Sequence, residues 1–348
     1  MVSLWALIGI LIKILVVVGI TQGAVAYLIL VERKVAAYTQ DRIGPNRAGP
    51  FALLQPLADG AKMLLKEDVI PKYVSRPLYL LAPWIAITTA MIAFAVVPFG
   101  PVGPDQIINF QIAPYVNIGV LYVFAIGSLA VYGVILAGWA SNNKYSFLGG
   151  LRSTAQLISY EIPLGLSILG MVLIAGSLDL NDIINWQDRR GFWGWGIFVQ
   201  PLGFLLFFVS AFAETNRLPF DLPEAEQELV GGFHTEYSAM KFGMFFLGEY
   251  LHIITVSYIT VILFFGGWDL PFILSQDQTS VWSAALKVLV MIVKVGLVIL
   301  FMMWVRWTLP RFRYDQLMEL AWKSMIPLAL INLVATAAVV QLIRTYWT

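Results

Sequence analysis

The chain contains no cysteine and only two histidines, His234 and His252. Without cysteine it can form no disulfide, no thiolate metal site and no iron–sulfur cluster of its own. Two histidines are too few for a haem or copper centre built within this chain alone. Charge is scarce as well: Asp, Glu, Lys and Arg make up 12% of 348 residues, with 22 basic against 21 acidic side chains and a net charge of +1. No stretch is polar enough and long enough for a separate soluble domain. Nothing resembles a phosphate-cradling glycine loop, a catalytic triad or a nucleotide-binding fingerprint. The chain therefore has no means of hydride transfer of its own, and any redox chemistry it serves has its metal elsewhere.

What the sequence has instead is apolar length. It is 59% hydrophobic and 14% aromatic, with a mean hydropathy of +0.79. Apolar runs near twenty residues recur, each bounded by charge or by Pro and Gly, as in a polytopic membrane protein. Eight spans are expected, over residues 4–31, 78–97, 116–139, 155–175, 193–212, 237–265, 284–307 and 323–343. Strict alternation is absent from these runs, so the spans are read as helices, which satisfy their own backbone groups in lipid. The expected fold is all-α, a single integral membrane domain over residues 1–348, with no internal repeat. At ~1.5 Å per residue the first span would overrun a ~30 Å hydrocarbon core, which predicts strong tilt.

Lys and Arg set the expected orientation. The first loop holds Arg33, Lys34, Arg42, Arg47, Lys62, Lys66, Lys72 and Arg76. The third loop holds Lys144 and Arg152, the fifth Arg217, and the seventh Arg311 and Arg313, whereas the opposite loops hold only Arg189 and Arg190. Under the positive-inside rule the odd loops face the cytoplasm and both termini face the outer side. No basic segment precedes the first apolar run, so no cleaved signal peptide is expected.

Within the first loop, residues 51–66 are amphipathic. Leu53, Leu54, Leu57, Ala61, Leu64 and Leu65 share one helical face, and Asp59, Lys62 and Lys66 share another. Such a segment lies along the membrane interface, as an anchor or as a guide for a ligand. The same loop places Glu32, Arg33, Asp41, Arg42 and Arg47 among Gly44, Pro45, Gly49 and Pro50. Gly and Pro set turns there, and the alternating acids and arginines suggest a packed, ion-paired loop. Arginine suits the holding of carboxylates or of an anionic intermediate.

The scarce acids are concentrated. Residues 213–237, AETNRLPFDLPEAEQELVGGFHTEY, set Glu214, Asp221, Glu224, Glu226, Glu228 and Glu236 against Arg217 alone. If 223–231 is helical, Glu224 and Glu228 share a face and repel, which together with partial burial favours the neutral acid. A solvated loop docking a basic partner is the alternative, but the interleaved Pro219, Phe220, Leu222, Pro223, Leu229 and Val230 speak against it. Inside the spans stand Glu161, just before helix-bending Pro163, Glu249 with His252 one turn on, and Lys294 with Lys287 seven residues earlier. An ionisable group at a helix centre costs ~2.5–3.5 kcal/mol on insertion scales, so each needs a partner, water or a change of protonation. Structural pairing between helices and a proton pathway both meet that need. Lys13, nearer the outer side, snorkels.

These motifs carry a resemblance. VERKVAAYTQDRIGPNRAGPFALLQPLADGAKMLLKE (31–67) and AETNRLPFDLPEAEQELVGGFHTEYSAMKFGMFFLGEY (213–250) closely resemble the H subunits of bacterial NADH-quinone oxidoreductase, the counterparts of subunit 1 of mitochondrial complex I. GWASNNKYSFLGGLRSTAQLISYEIPLG (138–165) and WVRWTLPRFRYDQLMELAWKSMIPLAL (304–330) match the same family, so the resemblance spans the chain. It implies a subunit of the inner membrane, at the heel of the membrane arm, lining the entrance and tunnel for quinone, the bound substrate. It further implies partner subunits: small membrane-arm chains, and soluble chains that carry the FMN, the iron–sulfur clusters and the main quinone head-group ligands. By position, the resemblance assigns Glu214, Glu224, Glu226 and Glu228 to the cytoplasmic part of a proton path, and Glu161 and Glu249 to its deeper part. Arg33, Arg42, Asp59 and Glu67 are assigned to the tunnel and its junction with the soluble arm. Related complexes pair such a subunit with other electron donors. A stand-alone proton or cation transporter using the same acids is the reading from a different class, although the inverted repeats of such carriers are missing.

Overall fold

In the computed structural model, the described residues are 4–101, 111–114, 116–221, 229–270 and 281–346, with side chains from residue 7 onward. Among them no strand occurs, and the chain is a succession of helices. These are α1 (Leu4–Thr39), α2 (Gln55–Leu65), α3 (Arg76–Ile92), α4 (Gly119–Ala140), α5 (Lys144–Ala175), α6 (Leu180–Asp188), α7 (Gly196–Val199) and α8 (Pro201–Glu214). After the acidic stretch come α9 (Ala239–Phe264), α10 (Val281–Thr308), α11 (Tyr314–Glu319) and α12 (Ile326–Tyr346). A wider π-helical segment, Leu320–Met325, joins α11 to α12. Pro327 follows at once, where its missing N–H would leave an ordinary α-helical bond unmade.

Among the described residues, seven helices are long and apolar enough to cross a membrane, so this is a multi-pass membrane architecture. α9 is its centre: 78% of its most apolar stretch is buried, against 17% for α1 and 11% for the last span. α3 packs on α4 and α9, α4 on α5, and α5 on α8 and α12. Small residues let these helices approach closely. A Cβ on Gly138 of α4 would lie 2.8 Å from the Ser146 carbonyl and 3.2 Å from the Gly150 Cα of α5. The ends are capped by local chemistry: the Asn143 side chain accepts from the Tyr145 amide at 3.0 Å, and Gly176 closes α5 in the left-handed region at φ 75°.

The fifth expected span is apolar but segmented. A turn at Phe192–Gly194 and the four residues of α7 precede a break at Gln200 (φ −134°, ψ 61°), and α8 starts only at Pro201. Its 14 residues reach about 21 Å at 1.5 Å each, short of a ~30 Å core. Backbone groups freed at such a break need partners. Gln187 of α6 supplies one, accepting from the Gly196 amide at 2.9 Å, and ties the segment to the end of α9 by accepting from the Gly266 amide at 3.1 Å and donating to the Ile262 carbonyl at 2.7 Å.

The amphipathic segment of the first loop forms α2 as expected, after a single tight turn at Pro50–Ala52. None of its residues is buried, and Leu57, Leu64 and Leu65 are 68%, 70% and 87% exposed. An apolar face left open along a short helix suits an interface. Asp59, on the opposite face, ties the helix to the end of α1 by accepting from Arg33 at 2.6 Å.

Candidate functional site

Three of the acids singled out from sequence line one cavity of about 60 Å³. Glu161 comes from α5, Glu214 from the last turn of α8, and Glu249 with His252 from α9. Gly127 and Ser128 of α4 close it, and Leu157, Phe233 and Phe245 form apolar walls. The absence of a side chain at Gly127 makes the room: a Cβ there would lie 3.6 Å from Glu214 Oε1 and 3.8 Å from His252 Cε1. Glu214 Oε2 and His252 Nδ1 are enclosed and take no hydrogen bond from the described residues. At ~10–15 Å³ per water, the cavity has room for roughly four. A neighbouring cavity of about 20 Å³ shares Glu214 and His252 and adds Thr89 and Thr255. Glu224, Glu226 and Glu228 lie outside the described residues.

A second concavity, a cleft of about 510 Å³, opens where α1 leaves the membrane. Arg33 and Arg42 line it together, with Gly44 and Pro45 from the loop, Phe246 and Tyr250 from α9, and Arg306 from α10. Asp59 attaches to it through Arg33 and also pairs with Lys62 at 3.1 Å. Partial burial raises the Asp59 pKa, but hydrogen bonds from Lys62, Arg33 and Gln55 outweigh that and hold the carboxyl below its usual range. Glu67 is exposed just beyond the end of α2, away from the residues lining the cleft.

Glu32, read from the sequence as one charge of an ion-paired loop, is the centre of a buried network whose distant partners the sequence did not name. Only 5% exposed, it sits in the cleft wall and accepts from Arg217, Arg306 and the Tyr250 hydroxyl. Arg217 N–H lies 3.1 Å from Glu32, and its guanidinium stacks 4.4 Å from the Tyr250 ring centroid. The signal in sequence was Arg217 itself: an arginine between two apolar spans requires an acid. The arginine-rich end of α10 continues the network, because Arg311 pairs with Asp221 at 3.3 Å and Phe312 stacks on Phe220 at 5.4 Å.

The two concavities share their walls. Glu249 and Tyr250 are neighbours on α9, about 100° apart around the helix; the first lines the acid cavity and the second the arginine cleft. Only two residues, Thr215 and Asn216, separate Glu214 in the cavity from Arg217 in the cleft network. Midway along α10, Lys294 reaches the end of α9 and donates to the Phe265, Gly267 and Asp269 carbonyls, which explains how a lysine is tolerated within a span. Burial and the adjacent Asp188 charge push the Asp269 carboxyl up to about 7.

The chain matches the NADH dehydrogenase family over residues 12–337. It is 53% identical over 339 residues to the H subunit of the NADH-quinone oxidoreductase of Leptospira biflexa, covering 93% of this chain and 92% of the relative. It is 51% identical over 321 residues to the first of the H subunits of that enzyme in Cytophaga hutchinsonii, covering 91% and 92%. It is 49% identical over 333 residues to the corresponding H subunit of Thermomicrobium roseum, covering 93% and 94%.

Proposed function

This chain belongs to the NADH dehydrogenase family, and on that footing we propose that it is the H-type membrane subunit of an NADH-quinone oxidoreductase. It acts as one integral membrane domain in the cell inner membrane, with the basic first loop in the cytoplasm and both termini outside. Its partners are the other subunits of that complex, and the FMN and iron–sulfur clusters reside in the soluble ones. The cysteine-free chain offers no ligands for a cluster.

The arginine cleft admits quinone from the lipid. Its apolar residues take the ring and tail, while Arg33, Arg42 and Arg306 counter negative charge that develops as the ring accepts electrons. The amphipathic α2, bound to Arg33 through Asp59, holds the entrance at the interface. The cavity of Glu161, Glu214, Glu249 and His252 starts the proton path. A change of charge in the cleft is felt in the cavity through the Glu32–Arg217 pair and through α9, which bears groups of both. The single observation that carries this reading is the pair Glu249 and Tyr250, adjacent in the chain and facing the two concavities.

The test uses the assembled complex. Glu214→Gln and Glu249→Gln keep shape and hydrogen bonding but remove titration. Quinone reduction and proton pumping should fall together by about a hundredfold, the low side of what positioned proton-transfer groups contribute. Electron delivery to an artificial acceptor such as ferricyanide, upstream of the quinone, should persist. Wild-type pumping in both variants of a normally assembled complex would show the acids to be structural.

A further inference from the structure

A deep concavity lies among the described residues on the membrane face opposite the basic first loop. It is a cleft of about 840 Å³ between α12 and the segmented fifth span. Its walls are apolar, with Val199, Leu202, Ala335, Val339 and Ile343 among them. At its mouth stand Arg190, from the loop after α6, and Arg344, from the last turn of α12. Trp186 and Trp193 stand with them, and the Arg190 guanidinium lies 3.9 Å from the Trp186 ring centroid. The loops on this face hold no lysine or arginine besides Arg189 and Arg190. The fold thus gathers scarce cations from two distant parts of the chain at one groove.

The break in the fifth span creates the groove. α8 begins only at Pro201, so beside the last turns of α12 the fifth span offers just the four residues of α7 and the turn before them, and the end of α5 at Ile174 forms the far wall. From Arg344 down to Asn332 the groove follows 12 residues of α12, about 18 Å at 1.5 Å per residue. One leaflet of a ~30 Å hydrocarbon core is about 15 Å deep. A partner protein's helix would need the full thickness, whereas a groove of this depth matches one acyl chain. Its floor is already satisfied: Gln200 donates to Thr336 at 2.6 Å and accepts from Asn332 at 3.0 Å. Nothing at the bottom asks for a polar ligand. Tryptophans mark the interfacial level, where guanidinium groups pair with phosphate in a two-pronged geometry.

We propose that this cleft is a binding site for an anionic phospholipid, with the headgroup phosphate at Arg190 and Arg344 and one acyl chain laid along α12 to Asn332. A lipid there completes the packing that the broken span leaves open and holds the loop after α6 against the C-terminal helix.

The test exposes the purified complex to phosphatidylglycerol or phosphatidylcholine carrying a diazirine on one acyl chain, followed by peptide mapping. The phosphatidylglycerol probe should label residues 193–202 and 332–343 several-fold more than the zwitterionic probe. Each of Arg190→Gln and Arg344→Gln should lower that labelling about fivefold, the effect of one basic side chain near a charged surface. Ala335→Phe, which leaves both arginines in place and fills the groove, should abolish it. Equal labelling by the two lipids in the wild-type complex would overturn the proposal without recourse to any variant. So would labelling that is indifferent to the arginines, or a groove that crosslinks only to another subunit.

Discussion

Arg217 and Glu32 lie 185 residues apart in sequence and 3.1 Å apart in space, each less than 10% exposed. The first stands near the start of the acidic stretch behind α8 and the second ends the apolar part of α1. Arg306, from a third element, donates to the same carboxylate. A buried acid between two guanidinium groups carries a net positive charge, which suits a wall that faces an electron-accepting ligand.

Breaking that triad should be costly. Removing one member of a buried pair leaves an uncompensated charge and typically costs 3–5 kcal/mol. Glu32→Gln should therefore lower the thermal stability of the complex by about that amount, and Arg217→Gln by a similar one. The double variant should lose less than the sum of the two, because the second change removes an already orphaned partner. Additive losses would mean that the two side chains do not depend on each other.

The acid cavity makes a graded prediction at Gly127. A Cβ would sit 3.6 and 3.8 Å from Glu214 and His252, ordinary van der Waals distances, so Gly127→Ala should be tolerated. Gly127→Leu pushes an isobutyl group into about 60 Å³ and should expel whatever water bridges the acids. Quinone reduction should fall severalfold in the leucine variant and stay near wild type in the alanine variant, with assembly followed on native gels. Equal activities would show that the cavity carries no proton traffic.

Much of this was legible in sequence, and what was not has a physical reason. α2 followed from the spacing of Leu53, Leu57, Leu64 and Leu65, since periodicity is local information. Glu161, Glu214 and Glu249 stood out because charge inside or beside an apolar span is expensive wherever the helices end up. Their convergence on one cavity was not legible, because cost says that each acid needs a partner or water but not which helices supply it. Glu32 was different: it looked like one more charge in a basic loop, and its partners are 185, 218 and 274 residues away. The break at Gln200 was missed because hydropathy reads FWGWGIFVQPLG as continuous apolar chain. Gly194, Gly196 and Pro201 were the available signal. A Cβ on Gly196 would fall 2.2 Å from the Leu263 carbonyl, so the segment is pressed against the end of α9 instead of standing beside it as a helix.

Quinone entry through the arginine cleft predicts where a photoreactive quinone attaches. Labels should map to residues 29–45 and to α9 around Phe246 and Tyr250, which line the cleft. Excess quinone should suppress them. Arg42→Lys keeps the charge but loses the planar two-pronged donor, so it should raise KM severalfold with little change in kcat. Labels confined to the loops of the opposite membrane face would refute entry at this end.

His234 provides the pH test. It lies near the end of the acidic stretch, outside the spans, with its ring against Phe233 and Phe242 at centroid distances of 5.0 and 5.2 Å. Desolvation pushes its pKa down from 6.5 to about 4. The unfolded chain therefore takes up a proton below pH 6.5 that the folded protein refuses until about pH 4. Stability from this residue is complete above pH 6.5 and is lost as pH falls through that window. Between pH 7 and pH 5 the loss is about 2 kcal/mol, from the linkage relation with one proton. His234→Phe keeps an aromatic ring in the cluster and cannot titrate. Thermal unfolding of the detergent-solubilised protein at the two pH values should show a smaller acid-induced drop in the variant than in wild type. Equal drops would mean that the imidazole is already hydrated and charged in the folded protein, and that the aromatic cluster is open to water.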